Sequence, residues 1–204
     1  MSRSGLVVIV LLATLLAAAA AGLWYVRATG LSARAEPSPA EVRVARAVRR
    51  LAISSEMRGR QNPVPRSDEA LAQGRAHFAD HCASCHANDG SGNTEMGRNL
   101  FPKAPDMRLA ATQELTDGEL FWIIENGIRF TGMPGWSTGT KEGEEASWHL
   151  VHFIRHLPDV SEAELEGMEA LNPRSPEEIR QEIEAERFLR GDDVTPATPP
   201  AHAH

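Results

Sequence analysis

Large aromatic rings are scarce in this chain: six Phe, four Trp and one Tyr among 204 residues. So thin a supply, with segments at both ends that cannot be globular, leaves material for one small domain. Strand patterning is also missing. No alternating apolar and polar run longer than a few residues occurs, so the expected fold class is all-α. Cysteine is limited to Cys82 and Cys85. A thioredoxin-like redox pair would want a βαβ setting, whereas the flanks here read as helix and glycine-rich loop. A compact zinc finger would place its histidines roughly 12 to 15 residues on, but His152, the first of the pair His152 and His156, lies 67 residues past Cys85.

What is present is Cys82-Ala83-Ser84-Cys85-His86, which uses both thiols and follows them at once with a histidine. This is the spacing of covalent haem attachment. Two thiols about one helical turn apart can each form a thioether with one of the two vinyl groups of a haem, while the adjacent imidazole reaches the iron from one face. A buried porphyrin would also supply the apolar bulk that a domain of about 90 residues lacks. The other axial ligand must come from a distant loop, and Met96, Met107, Met133 and a histidine are candidates. Met133 lies 47 residues past His86, in Thr131-Gly132-Met133-Pro134-Gly135-Trp136, where glycines let the backbone approach a porphyrin and Pro134 stiffens the loop.

Together, Cys82, Cys85 and His86, Gly90-Ser91-Gly92, and Gly132-Met133-Pro134-Gly135-Trp136 resemble a class I c-type cytochrome, over roughly residues 67–158. The resemblance implies a small helical domain around one covalent haem c, with thioethers at Cys82 and Cys85 and iron ligated by His86 and Met133. It implies that Met96 and Met107 are loop-packing residues. It also implies haem attachment outside the cytoplasm, and hence export, and the packing of Gly74 and Phe78 against a C-terminal helix. Members often carry a proline a dozen residues past the haem histidine, whose carbonyl accepts a hydrogen bond from its Nδ1. Here that place is Arg98, with Pro102 and Pro105 just beyond, and because any residue can offer a backbone carbonyl the identity of the acceptor is left open.

In chain order, residues 5–26 are an uninterrupted apolar run, long enough to cross a bilayer. Ala33-Arg34-Ala35 has the small-x-small form of a signal-peptidase site. The run exceeds the roughly 7 to 15 residues of a secretory apolar core, and Trp24 and Tyr25 stand where interfacial aromatics anchor a span, which favours a retained anchor over residues 1–26. Residues 27–66 form a basic linker, nine Arg against three Glu, expected to be extended near Pro37, Pro39, Pro63 and Pro65. Within it residues 41–53 read as a short helix with Val44, Val48 and Leu51 on one side, either lying on anionic lipid, docked on its own domain or solvated.

The cytochrome-like domain, 67–158, is expected to contain a helix opening at Ser67-Asp68-Glu69, a second opening at the capping box Thr116-Asp117-Gly118-Glu119 and ending at Asn126-Gly127, and a third over 144–157 stopped by Pro158. Residues 87–112 read as loop. His149, His152 and His156 share one helical face, expected to be a polar outer one, and His77 and His81 are expected to face solvent. Residues 159–204 form an acidic tail. It carries twelve acids against four Arg up to Asp193, with a helix beginning at Ser175-Pro176 and a disordered end, 194–204, holding His202 and His204.

The expected function is electron transfer through one haem with His/Met ligation, not catalysis. A Met/His pair raises the reduction potential and leaves no open iron site. The expected setting is the cytoplasmic membrane, single-pass, with the haem domain on the periplasmic side, redox proteins as partners and no nucleic acid. The alternatives are a haem subunit of a larger membrane oxidoreductase, or a haem-based gas sensor with a vacant sixth position. The sequence leaves donor, acceptor and oligomeric state open.

Overall fold

The computed structural model describes residues 2–30, 32–174 and 176–191. The expected tail beyond residue 191, with His202 and His204, and the Ser175 helix cap lie outside them. Among the described residues there is no strand, and the all-α expectation holds.

Helix α1, Arg3–Thr29, is capped by Ser2, whose side chain accepts from the Gly5 N–H. Its 27 residues make about 40 Å of helix, more than the roughly 30 Å of a bilayer's hydrocarbon. It is apolar enough to cross a membrane, and none of its residues is buried in the protein. Helix α2, Pro39–Ala52, opens on a capping box between Ser38 and Glu41, and the five-residue α3 covers Ser55–Gly59.

The helical domain is built on a crossing of α4, Asp68–His77, with α9, Lys141–His156. Each is started by a hydroxyl, Ser67 accepting from Ala70 N and Thr140 from Gly143 N. Gly74 lies directly under the His149 carbonyl, where any Cβ would strike the backbone. One turn on, Phe78 packs on Phe153 with ring centroids 5.1 Å apart. The expected partnership of Gly74 and Phe78 with the C-terminal helix is therefore what the structure contains. Helix α8, Asp117–Asn126, closes the other side of α9, with Phe121 stacked on Trp148 at 4.1 Å. Because α4 and α8 cover different faces, Trp148, Leu150, Val151, Phe153 and Ile154 of α9 are all buried, and so is Leu157 just beyond it. The short helices α6 (Glu95–Arg98) and α7 (Ala110–Gln113) interrupt the stretch expected to be loop.

The structure corrects three expectations. The basic linker is not a free stalk over its whole length, because Ile53 is 1% exposed and the chain from there to Val64 is docked on the domain. Arg60 lies over the rings of Phe121 and Trp148, Asn62 donates to the Trp148 carbonyl at 3.0 Å, and Gly118 admits the Met57 carbonyl. Isolated apolar residues among arginines carry no periodic signal, so this docking was illegible locally. The acidic tail likewise begins inside the domain: α10, Glu162–Glu169, places Met168 at 0% exposure in the core, whereas α11, Pro176–Arg190, leaves Ile179, Ile183, Phe188 and Leu189 exposed. Finally, His149, His152 and His156 do not form a solvated outer face. His149 is buried, His152 Nε2 pairs with the Val64 carbonyl at 2.8 Å, and His156 Nε2 meets Glu164 at 3.0 Å.

Candidate functional site

The attachment motif sits at the end of the α4 run. After His77 the helix widens into a π turn, Phe78–Cys82, and resumes as α5, Ala83–His86. One extra residue per turn re-aims side chains relative to an unbroken α-helix, here immediately before Cys82. The helix stops because Ala87 takes φ 60°, and the chain then folds back on itself, with Gly92 N donating to the His86 carbonyl at 2.7 Å. Thr94 donates to the Cys85 carbonyl, and Gly97 fits against that same oxygen where a Cβ would not. Arg108 bridges Asp89 and Asp106, clamping the loop from its far side.

Cys82 and Cys85 are both free thiols. Burial, with a smaller contribution from Cys85, pushes the Cys82 thiol up to about 12, so it stays protonated at neutral pH. Burial lowers His86 to about 4, which leaves its imidazole neutral with a lone pair to offer. His86 Nδ1 is buried with no hydrogen-bond partner, so no carbonyl of Arg98, Pro102 or Pro105 accepts from it. The Arg98 guanidinium donates to Asn93 Oδ1 at 2.6 Å. Two free thiols, one closing the π turn and one on α5, with a buried neutral imidazole at the end of α5, are a donor set that fits covalent haem.

Of the candidate thioethers, Met107 is buried at 7% exposure in the core, with its backbone bonded to Gly90 and Gln113. That is the packing role expected of it. Met96 is 55% exposed, and its Sδ lies 3.3 Å from Cys85 Sγ. The loop-packing role expected of Met96 is therefore not what the structure contains, because α6 turns its side chain outward beside the motif. Met133 is half-buried in a loop tied to the end of α8. Its N–H donates to Thr131 Oγ1 at 3.1 Å, its carbonyl accepts from Ile128 N at 3.0 Å, and Trp136 N donates to the Ile124 carbonyl at 3.0 Å. Gly127, at φ 65°, is packed against Met133 O and the Pro134-Gly135 peptide, so the loop needs that glycine. The Trp136 ring then meets His81 edge-on at 5.5 Å, and His81 meets His77 at 4.8 Å. The Met133 loop and the residue before Cys82 are thus in contact. His81 is exposed as expected, whereas His77 is half-buried, and burial, with His81 nearby, lowers its pKa. Among the described residues no cluster of three or more His, Cys, Asp or Glu could hold a metal ion, the three α9 histidines included.

A small bundle of helices crossing at Gly74, with a Cys-x-x-Cys-His motif at a helix end and a glycine-shaped methionine loop against it, defines a c-type cytochrome domain. Residues 69–154 match the family model described as Cytochrome C oxidase, cbb3-type, subunit III. The match spans the α4 to α9 unit and leaves out α1, the linker and the tail. No curated protein matches the chain. A cytochrome c domain implies covalently bound haem c, and with it iron.

Proposed function

We propose that the protein carries one electron at a time through a single haem c, with thioethers at Cys82 and Cys85 and axial ligands His86 and Met133, and that it does not itself transform a substrate. The observation that supports this most directly is the contact between the two anchors of the site, Trp136 of the Met133 loop against His81 beside Cys82. Haem iron supplies the reversible one-electron couple. The chain's own residues do the rest. Burial keeps the His86 imidazole neutral, and the backbone bonds at Thr131 and Ile128 hold Met133 in one place, so that little reorganisation accompanies a change of charge. Met96, Phe101, Leu109, Phe130 and Trp136, large apolar side chains left exposed, flank the motif and the methionine loop in the chain. A porphyrin is the kind of surface that would cover them.

Helix α1 holds the protein in the cytoplasmic membrane as a single retained span, with the haem domain on the periplasmic side, where haem attachment and soluble redox partners meet. The family match favours a second arrangement, in which the same chemistry serves a membrane oxidoreductase complex. Other haem chains co-purifying in mild detergent would select it.

The test of ligation is Met133→Ala in the haem-loaded protein. The variant should lose the weak near-infrared band of thioether-to-ferric ligation, show a lower reduction potential and bind carbon monoxide when reduced, whereas Met96→Leu and Met107→Leu should retain the band. A mass increment other than one haem would refute the single-haem reading, and rapid carbon monoxide binding by the unaltered protein would select the gas sensor.

A further inference from the structure

Helix α2 carries an apolar stripe that nothing in the protein covers. Val44, Val48 and Leu51, at i, i+4 and i+7, are 63%, 57% and 86% exposed, while Val42 and Arg49 on another face are half-buried. Arg43 and Arg50 lie off one side of the stripe and Arg46 on the face opposite it, and among the described residues none of the three has a carboxylate partner. We propose that α2 lies in the plane of the membrane surface, with Val44, Val48 and Leu51 at the boundary of the acyl chains, Arg43 and Arg50 reaching anionic lipid phosphates, and Arg46 on the face turned away, adding only to the field of positive charge. The proposal rests on the retention of α1 and is independent of the iron ligands.

Three features select lipid as the occupant. The first is reach. Only residues 30–38 separate the end of α1 from the start of α2. At roughly 3.3 to 3.6 Å per residue they span at most about 30 Å, so α2 is confined near the surface at which α1 emerges. The second is charge. The linker from 27 to 66 is +6, whereas residues 67–158 are −6 and 159–193 are −8. Anionic headgroups therefore repel the rest of the molecule and attract this one segment. The third is the pattern itself, a narrow apolar stripe beside arginines on a helix of 14 residues, which matches the interfacial amphipathic class and is too short to span.

The attachment also orients the domain. Ile53, immediately after α2, is buried, and the Arg58 guanidinium donates to both the Arg50 and Ile53 carbonyls at 2.6 and 2.5 Å. The end of α2 is thereby fixed to the docked segment that runs through Met57 and Asn62 to the core. A helix seated on the surface would hold the cytochrome domain at one height and tilt, which the roughly 16 Å random-coil reach of the short connection from α1 could not do alone.

The test uses full-length haem-loaded protein in lipid nanodiscs, with intact mass confirming that α1 is present. Hydroxyl-radical labelling at Val44, Val48 and Leu51 should fall at least about fivefold in discs containing phosphatidylglycerol relative to detergent, since each arginine near an anionic surface contributes about that factor. Arg43→Glu/Arg46→Glu/Arg50→Glu should restore labelling while leaving the haem absorbance unchanged. Equal labelling in anionic discs and in detergent overturns the proposal. Protection that appears in detergent and rises with protein concentration also overturns it, by assigning the stripe to a second copy of the chain.

Discussion

Replacing Gly74 by alanine tests whether the α4/α9 crossing sets the stability of the domain. A Cβ at this position would lie 2.2 Å from the His149 carbonyl oxygen and 3.1 Å from Phe153 Cβ, where ordinary contact begins at 3.4 Å. The obstacle is backbone, so no side chain can swing away, and the helices must part by about 1 Å along a seam that also holds the Phe78–Phe153 contact. Overpacking of this kind costs about 1 to 3 kcal/mol, and loosening the Phe78 seat adds to it. Alanine's better helix propensity returns about 1 kcal/mol. A net loss of roughly 2 kcal/mol in a domain of about 100 residues lowers Tm by about 10 °C. The control is Gly167→Ala in α10, where a Cβ meets nothing within 4 Å. There the propensity gain stands alone, and a rise of up to about 1 kcal/mol follows. Both variants keep the attachment motif, so thermal and denaturant unfolding of the ferric protein, followed by far-ultraviolet circular dichroism, reads the packing difference directly. Equal shifts for the two glycines, or a Gly74→Ala protein as stable as the parent, would refute the close-approach reasoning.

Gly118→Ala places a Cβ 1.8 Å from the Met57 carbonyl oxygen and should lift the docked linker from α8. Trypsin should then cut after Arg58 and Arg60 about tenfold faster or more while the haem spectrum is retained; unchanged cleavage would mean that the segment is not held there. Burial raises the Glu164 carboxyl, but the Ser161 N–H and hydroxyl and the His156 ring outweigh it and hold the group down to about 2, against an ordinary 4.5. Its folded pKa is depressed, so its stabilisation is complete above about 4.5 and is lost as pH falls toward 2. Glu164→Gln should therefore lower Tm at neutral pH and lose that difference in acid, and a gap constant from pH 7 to 3 would refute the linkage. Asn62→Ala removes the bond to the Trp148 carbonyl and the Val64 N–H acceptor and should cost about 1 to 2 kcal/mol in urea unfolding. An unchanged midpoint would show that the docked segment contributes nothing there.

Local chemistry alone determined the attachment motif, the α1 run, the capping box at Thr116, the N-cap at Ser67 and the periodic apolar face of α9, because each is written in one unbroken stretch of chain. Gly74 and Phe78 were legible as a pair only through the resemblance to class I c-type cytochromes, since a glycine and an aromatic four residues apart carry no such meaning by themselves. Tertiary structure decided what lies across the chain. It put Met168 into the core beyond Pro158, where an acidic segment gave no periodic signal. It seated Met57 and Asn62 of an arginine-rich linker on α8 and α9 and buried Ile53 ahead of them, with a backbone approach at Met57 that only Gly118 permits. It gave the three histidines of α9 separate fates, since a shared helical face says nothing of which neighbour covers each turn. It also brought Trp136 to His81, a meeting of two loops 55 residues apart. Such contacts depend on how helices cross, and crossing is a property of whole packed surfaces rather than of any stretch of sequence.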